Sequence, residues 1–288
     1  MNTFSHYIFN TLSVCALGAA LLSCSNEDYL GGHYTTDGAG VETTITAIAP
    51  EGETWEAGTR LGISTGYATY DASARNREYV SSTGGNSFQQ AAGSPIYVKG
   101  NTSMVAYYPF VGTDGAEPVI SLNTKNQADL TNYYFAKTDD VTIANGSNVV
   151  LNFHRALGRM QLRVTVPAGE AVKTVRISGF AQEAEVNPFT LDMKLSNPED
   201  LVLTGSDIRT IDVELIPQTV KADAAIPARL VLVGNIRSYT IELGDITLAG
   251  GELRQGTVDV TSGVGTLEFV PGGTSWTDSG LGGNVTSN

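Results

Sequence analysis

The chain is punctuated too often to hold a long helix. From Val41 onward its apolar, β-branched and aromatic residues come in short runs, and Gly, Pro, Asn or Asp closes nearly every run. Residues 43–49 (TTITAIA), 103–109 (SMVAYYP), 160–166 (MQLRVTV) and 210–216 (TIDVELI) alternate apolar with polar or small side chains. A period of two sends successive side chains to opposite faces of an extended chain, which is how a half-buried strand is written. Further runs fall at 61–65, 119–122, 133–136, 149–153, 174–177, 201–204, 228–233, 239–243, 255–260 and 265–270. Many short strands at such spacing predict an all-β chain built of β-sandwiches. Two sandwiches suit the 288-residue length better than one. The break falls near Leu157, giving an N-terminal sandwich over 41–156 and a C-terminal one over 157–288. No Gly/Pro-rich linker separates them, so a tight, packed junction is expected. The only helical expectations are short ones, near 154–159 or within 198–201. No internal sequence repeat stands out.

The N-terminus is written in a different style. Residues 1–23 contain no Asp, Glu, Lys or Arg, and 11–23 (TLSVCALGAALLS) form an apolar stretch too short to span a membrane as a mature helix. That length suits the core of a signal peptide. Leu21-Leu22-Ser23-Cys24 follows at once and resembles the lipobox of bacterial lipoproteins, in which the cysteine is lipidated and becomes the first residue of the mature chain. On that reading 1–23 is a lipoprotein signal peptide and Cys24 the lipidation site; the alternative is an uncleaved apolar N-terminus with an ordinary thiol. Cys15 leaves with the signal peptide, so the mature chain has no second cysteine for an internal disulfide. Residues 24–40, with Gly31, Gly32, Gly38 and Gly40, read as a flexible tether. Glu27 and Asp28 are either a sorting signal for the outer face of the outer membrane or a polar spacer.

The formal net charge of −13 belongs to the mature chain, since residues 1–23 carry no Asp, Glu, Lys or Arg. Such a surface repels phosphates, and no Lys/Arg cluster offsets it, so nucleic acid is not an expected partner. Chemistry-bearing patterns are sparse. His33 sits in the tether, and His154, between two runs, reads as a packed junction residue rather than a catalytic base. No Cys/His spacing suggests a metal site and no Gly-rich loop a phosphate cradle, so neither cofactor nor metal is expected and the chain does not read as an enzyme. Asp139-Asp140 and Glu199-Asp200 read as solvated turn residues rather than calcium ligands. Tyr67, Tyr70, Tyr79, Tyr97, Tyr107, Tyr108, Tyr133 and Tyr134 crowd the first sandwich. They either face its core by strand alternation or offer stacking platforms for sugars, as in a carbohydrate-binding surface lipoprotein.

Several segments, in order, resemble the fimbrillin family, the fimbrillin-like surface lipoproteins that form type V pili. Trp55-Glu56-Ala57-Gly58-Thr59-Arg60-Leu61-Gly62-Ile63 is similar to the family's Trp…Gly-Asp-x-Ile-Gly-Val segment, with Thr59 in place of the Asp. Val105-Ala106-Tyr107-Tyr108-Pro109-Phe110, Leu151-Asn152-Phe153-His154 and Leu215-Ile216-Pro217-Gln218 follow, then Tyr239 to Leu243, Gly250-Gly251 and Trp276. The resemblance implies two tandem transthyretin-like β-sandwiches, lipid-anchored at the outer membrane and exposed at the cell surface. It also implies other pilus subunits as partners, joined by donor-strand pairing, while the adhesion ligand stays unidentified. In that family a protease cuts after a basic residue and removes the first strand. No Lys or Arg lies between Cys24 and Thr59, so Arg60 is the first such site, and the loop-like stretch before it suggests access. The alternative for Arg60 is an ordinary surface arginine.

Mass spectrometry of the membrane fraction should find Cys24 acylated and N-terminal. An unmodified Cys24 there would sink the lipoprotein reading.

Overall fold

A computed structural model describes residues 41–65, 75–92, 95–98, 102–141, 148–270 and 274–275. The architecture is all-β, and no helix occurs among the described residues. Both short helical expectations are corrected. His154–Arg155 is a strand paired with Tyr134 and Phe135, and of 198–201 Pro198 forms an isolated bridge while Leu201 opens a strand.

Eleven strands precede Ala156: β1 Val41–Glu42, β2 Ile45–Ile48, β3 Thr59–Thr65, β4 Arg77–Ser81, β5 Ser87–Gln90, β6 Tyr97–Val98, β7 Thr102–Tyr108, β8 Ile120–Asn123, β9 Tyr134–Val141, β10 Val149–Asn152 and β11 His154–Arg155. Thirteen follow: β12 Gly158–Thr165, β13 Val172–Ser178, β14 Glu183–Val186, β15 Met193–Leu195, β16 Leu201–Thr204, β17 Thr210–Leu215, β18 Gln218–Val220, β19 Arg229–Gly234, β20 Ser238–Glu242, β21 Ile246–Leu248, β22 Glu252–Asp259, β23 Thr266–Phe269 and β24 Thr274–Ser275. Every run read from alternation lies on a strand. Sequence reasoning missed β4, whose Arg77 and Glu78 are buried charges. Arg77 pairs with Asp114 at 3.2 Å and Glu78 with Arg60, and only such pairing makes these positions tenable inside a sheet. The short hairpin of β14 and β15 was missed too, because Glu183 and Glu185 give it a polar texture.

The N-terminal strands form a sheet in the order β10-β2-β5-β4-β3-β7-β9-β11, wrapped round a core of Ile45, Leu61, Ile63, Phe88, Met104, Leu151 and their neighbours. The C-terminal strands form a β17-β12-β22-β23 sheet, with β24 also on β22, and a β16-β13-β19-β20 sheet, enclosing Leu162, Val175, Ile211, Leu232 and Ile241. A structural repeat emerges that the sequence hides. In each half an early strand lies between an antiparallel neighbour and a parallel late one, β2 between β5 and β10, and β12 between β17 and β22.

The two halves are stitched rather than strung. The β15-β14-β8 sheet takes β8 from the first half and the hairpin from the second, in antiparallel register from Ile120↔Val186 to Asn123↔Glu183. Beneath it a third core joins Tyr107, Phe135, Leu157, Ala184, Ile216 and Leu253. The strands before and after Ala156 thus share a sheet over a shared core.

Gly62 shows how closely the N-terminal sheet is fitted. A Cβ built there would lie 2.3 Å from the Tyr107 ring. That ring is held by its hydroxyl, which donates to Asn76 Oδ1 at 2.5 Å, and Asn76 in turn donates to the Val111 and Thr113 carbonyls. Burial pushes the Tyr107 hydroxyl up to about 12, a shift that its own hydrogen bonds to the Val111 carbonyl and to Asn76 partly offset. Gly62→Ala is therefore expected to destabilise the chain by about 1–3 kcal/mol through overpacking, measured by urea unfolding; an unchanged midpoint would mean that the ring can move.

Candidate functional site

The feature most suggestive of function is the way β2 is held. On one side it runs parallel to β10, with Ala47 opposite Leu151. On the other it meets β5 over only two residues, Ile45↔Phe88 and Thr46↔Ser87. The ladder is extended by Val149 N–H to the Thr44 carbonyl at 2.8 Å, Phe153 N–H to Ile48 at 2.9 Å and Ala47 N–H to Asn86 at 2.8 Å. Ile45 and Ala47 point inward with no exposed surface, and Ala49 packs partly against the same core. Two of these three inward positions are alanines, leaving space in the core that β2 does not fill.

Trp55 fills it from the loop that follows. Its indole N–H donates to the Ala47 carbonyl at 2.9 Å, taking the place of a ladder hydrogen bond beyond the end of β5. The ring packs edge-on against Phe88 and Phe153, at 5.8 and 5.3 Å, and lies 5.4 Å from Tyr108 and 5.8 Å from Tyr134. Such geometries suit the aromatic quadrupole and add to the burial itself. Burial drives the Tyr134 hydroxyl well above its usual range, and the Glu53 carboxylate adds to that. Glu53 ties the same loop down by pairing with Arg155 at 2.5 Å, and the Arg155 guanidinium lies 5.7 Å above the Tyr134 ring. An open groove of about 580 Å³ borders this end, lined by Ala49, Pro50, Phe153, His154, Arg155 and Gly250 among others.

Arg60 lies five residues beyond Trp55, and the expectation that it ends an accessible loop is corrected. It is the second residue of β3, opposite Val80, and its carbonyl accepts the Phe110 N–H. Its side chain stays 57% exposed, paired with Glu78 and above the Phe110 ring. A protease therefore finds the side chain reachable but the peptide bond paired. The turns before it carry Gly52 and Gly58 at positive φ, where Gly avoids the strain of a side chain.

His154 is likewise corrected. It is exposed on β11, while its neighbour Arg155 is the buried junction residue. Tyr79, Tyr107 and Tyr134 are core side chains, and Tyr97, Tyr108 and Tyr133 are half-buried, so none of these six described tyrosines presents a fully exposed face. Asp139, Glu199 and Asp200 pair with Lys137, Lys125 and Arg176. Among the described residues no group of His, Cys, Asp or Glu is placed to hold a metal ion. Cys24, Glu27, Asp28, His33, Tyr67, Tyr70 and Trp276 lie outside the described residues. Sequence reasoning noted Trp55 as a motif residue but not as the clamp on β2; its signal was a strand with two inward alanines and a tryptophan eight residues on.

The fimbrillin-like family model matches residues 44–273. No curated protein matches the sequence significantly. Among solved structures, a candidate cell adhesion protein from Bacteroides ovatus is 18% identical, with 84% of this chain and 100% of that one covered at a TM-score of 0.59. Another from Bacteroides uniformis is 20% identical, covering 85% and 100% at 0.56. The tip fimbrial protein Mfa3 from Porphyromonas gingivalis, solved with a C-terminal truncation, is 9% identical, covering 82% and 100% at 0.55. At these identities the structures share the fold.

Trp55→Ala should cost about 3–5 kcal/mol, as for a buried aromatic side chain cut to a methyl group. If Trp55 clamps β2 in particular, hydrogen exchange at the Ala47 amide will accelerate more than at amides of the C-terminal core; uniform acceleration would contradict the clamp.

Proposed function

The chain belongs to the fimbrillin-like family, and on that footing we propose that it serves as a surface-exposed fimbrial subunit or pilus-associated adhesin, joining its neighbours by exchange of β2 for a strand from another subunit. The observation that carries this reading is the setting of β2, an interior strand whose only forward covalent link to the fold is the Pro50 to Gly58 loop, with β1 before it paired to β6. The first Lys or Arg after Cys24 stands just past that loop, at Arg60. Loss of the segment would leave Val149 N–H, Phe153 N–H and the Asn86 carbonyl without partners beside an apolar groove. Backbone groups unpaired next to exposed apolar side chains are what an added strand satisfies. In this role the fold supplies shape and pairing, and the chain works without catalysis or cofactor.

The remaining assignments follow from the same reading. Cys24 carries the lipid that holds the chain to the outer membrane, residues 24–40 are the tether, and the fold over 41–156 and 157–288 is displayed at the cell surface. Cleavage after Arg60 frees the chain from that anchor and opens the groove in one step. Because Arg60 is paired to β4, cleavage requires the end of β3 to open first, so the cut is gated by local unfolding.

Brief trypsin treatment of the folded, lipid-free protein checks this. The stable fragment should begin at Leu61 and polymerise more readily than uncut protein. A different N-terminus, or no gain in polymerisation, would rule out maturation by strand removal at this site.

A further inference from the structure

The groove opened by loss of the first segment has a different shape from the strand that left it. Cleavage at Arg60 removes more than β2. Trp55 lies on the same fragment and is 5% exposed in the core, inside the ring of Phe88, Tyr108, Tyr134 and Phe153. Its departure adds an indole-sized space beside the small inward positions of Ala47 and Ala49. Glu53 leaves as well, so Arg155, whose side chain is 7% exposed, loses that carboxylate.

Resting on the strand-exchange reading, we infer that the strand which completes this subunit carries a large aromatic side chain at the inward position opposite Leu151 or Phe153, with a carboxylate near its end to meet Arg155. An incoming strand brings no equivalent of the Pro50 to Gly58 loop, so the bulk that Trp55 contributes from outside the strand has to come from the strand itself. A strand copying the pattern of β2, with alanine at both positions, would leave a void lined by four aromatic rings. Voids in cores cost stability in proportion to their size, whereas filling one with an aromatic side chain restores both burial and ring contacts. The end of the groove has matching chemistry. A buried guanidinium above a tyrosine ring favours a carboxylate, since removing one partner of a buried pair is costly. The partner is thus an alternating apolar strand with one aromatic anchor and a terminal acid. An aliphatic strand of even profile fits less well.

The geometry also fixes a change of sign. In the uncut chain the space is occupied, so enlarging Ala47 collides with Trp55 or displaces it. Once the segment is gone the same enlargement fills the hole.

The test uses the full mature chain with a specific protease site inserted between Gly58 and Thr59, so that it does not depend on cleavage at Arg60. After cutting, synthetic peptides spanning residues 43–50, unsubstituted or carrying A47W or A49W, compete with the retained fragment, and exchange is followed by native mass spectrometry. At least one tryptophan peptide should displace the fragment at about ten-fold lower concentration than the unsubstituted peptide, the scale set by burying an aromatic side chain. In the uncut chain, A47W should lower stability. Equal displacement by all three peptides would overturn the inference while leaving strand exchange intact. An unchanged or raised stability of uncut A47W would overturn it too. Failure of every peptide to displace the fragment would remove the strand-exchange reading itself, and the inference with it.

Discussion

The organising constraint is that an interior strand needs backbone partners along both edges. For β2 those partners are far away in sequence, Asn86 to Phe88 on one side and Val149 to Phe153 on the other. The N-terminal core closes only when three distant segments meet, and the loop-closure entropy of bringing them together comes before any pairing rewards it. Trp55 shortens part of that search. It is close to β2 in sequence, it extends the ladder with its own N–H, and it fills the space that the alanines leave. The strand most dependent on remote partners therefore carries its own local support.

Elsewhere the problem is reversed, and edges have to be closed against unwanted pairing. At the outer edge of β17, the Gln127 side chain donates to the Glu214 carbonyl and accepts its N–H, both at 2.9 Å. Gln218 does the same to Ala181, at 3.2 and 2.9 Å. A side-chain amide has the donor and acceptor of one peptide unit, so each glutamine stands in for one residue of a neighbouring strand. Such capping is a low-entropy way to blunt an edge that would otherwise recruit another chain.

The strand series was legible in most segments where one face is buried and the other wet, because alternation then writes the sheet directly into the sequence. Residues 160–166 and 210–216 are of that kind. It was not legible at β4, where charges are buried against distant partners such as Asp114, nor at β14, whose wet face carries the glutamates. The exposure of His154 and the burial of Arg155 turn on the register of a two-residue strand, and nothing local in the sequence fixes it. Arg60 was identifiable as the first basic residue after the tether, but whether it lay in a loop or a strand depended on its pairing with Val80. The repeat between the halves was invisible for a related reason. It resides in which strands run parallel, a property shared by sequences with no residues in common.

The stitched junction has a mechanical consequence. The link through Ala156 and Leu157 does not bear load alone, because the antiparallel pairing of β8 with β14 and the shared core beneath it lie in parallel with it. A pull that separated the halves would have to break that sheet and expose Tyr107, Leu157 and Ile216 to water before the connecting backbone could straighten. Each molecule therefore behaves under tension as one stiff link. In an array of such links, bending and stretching concentrate at the joints between molecules.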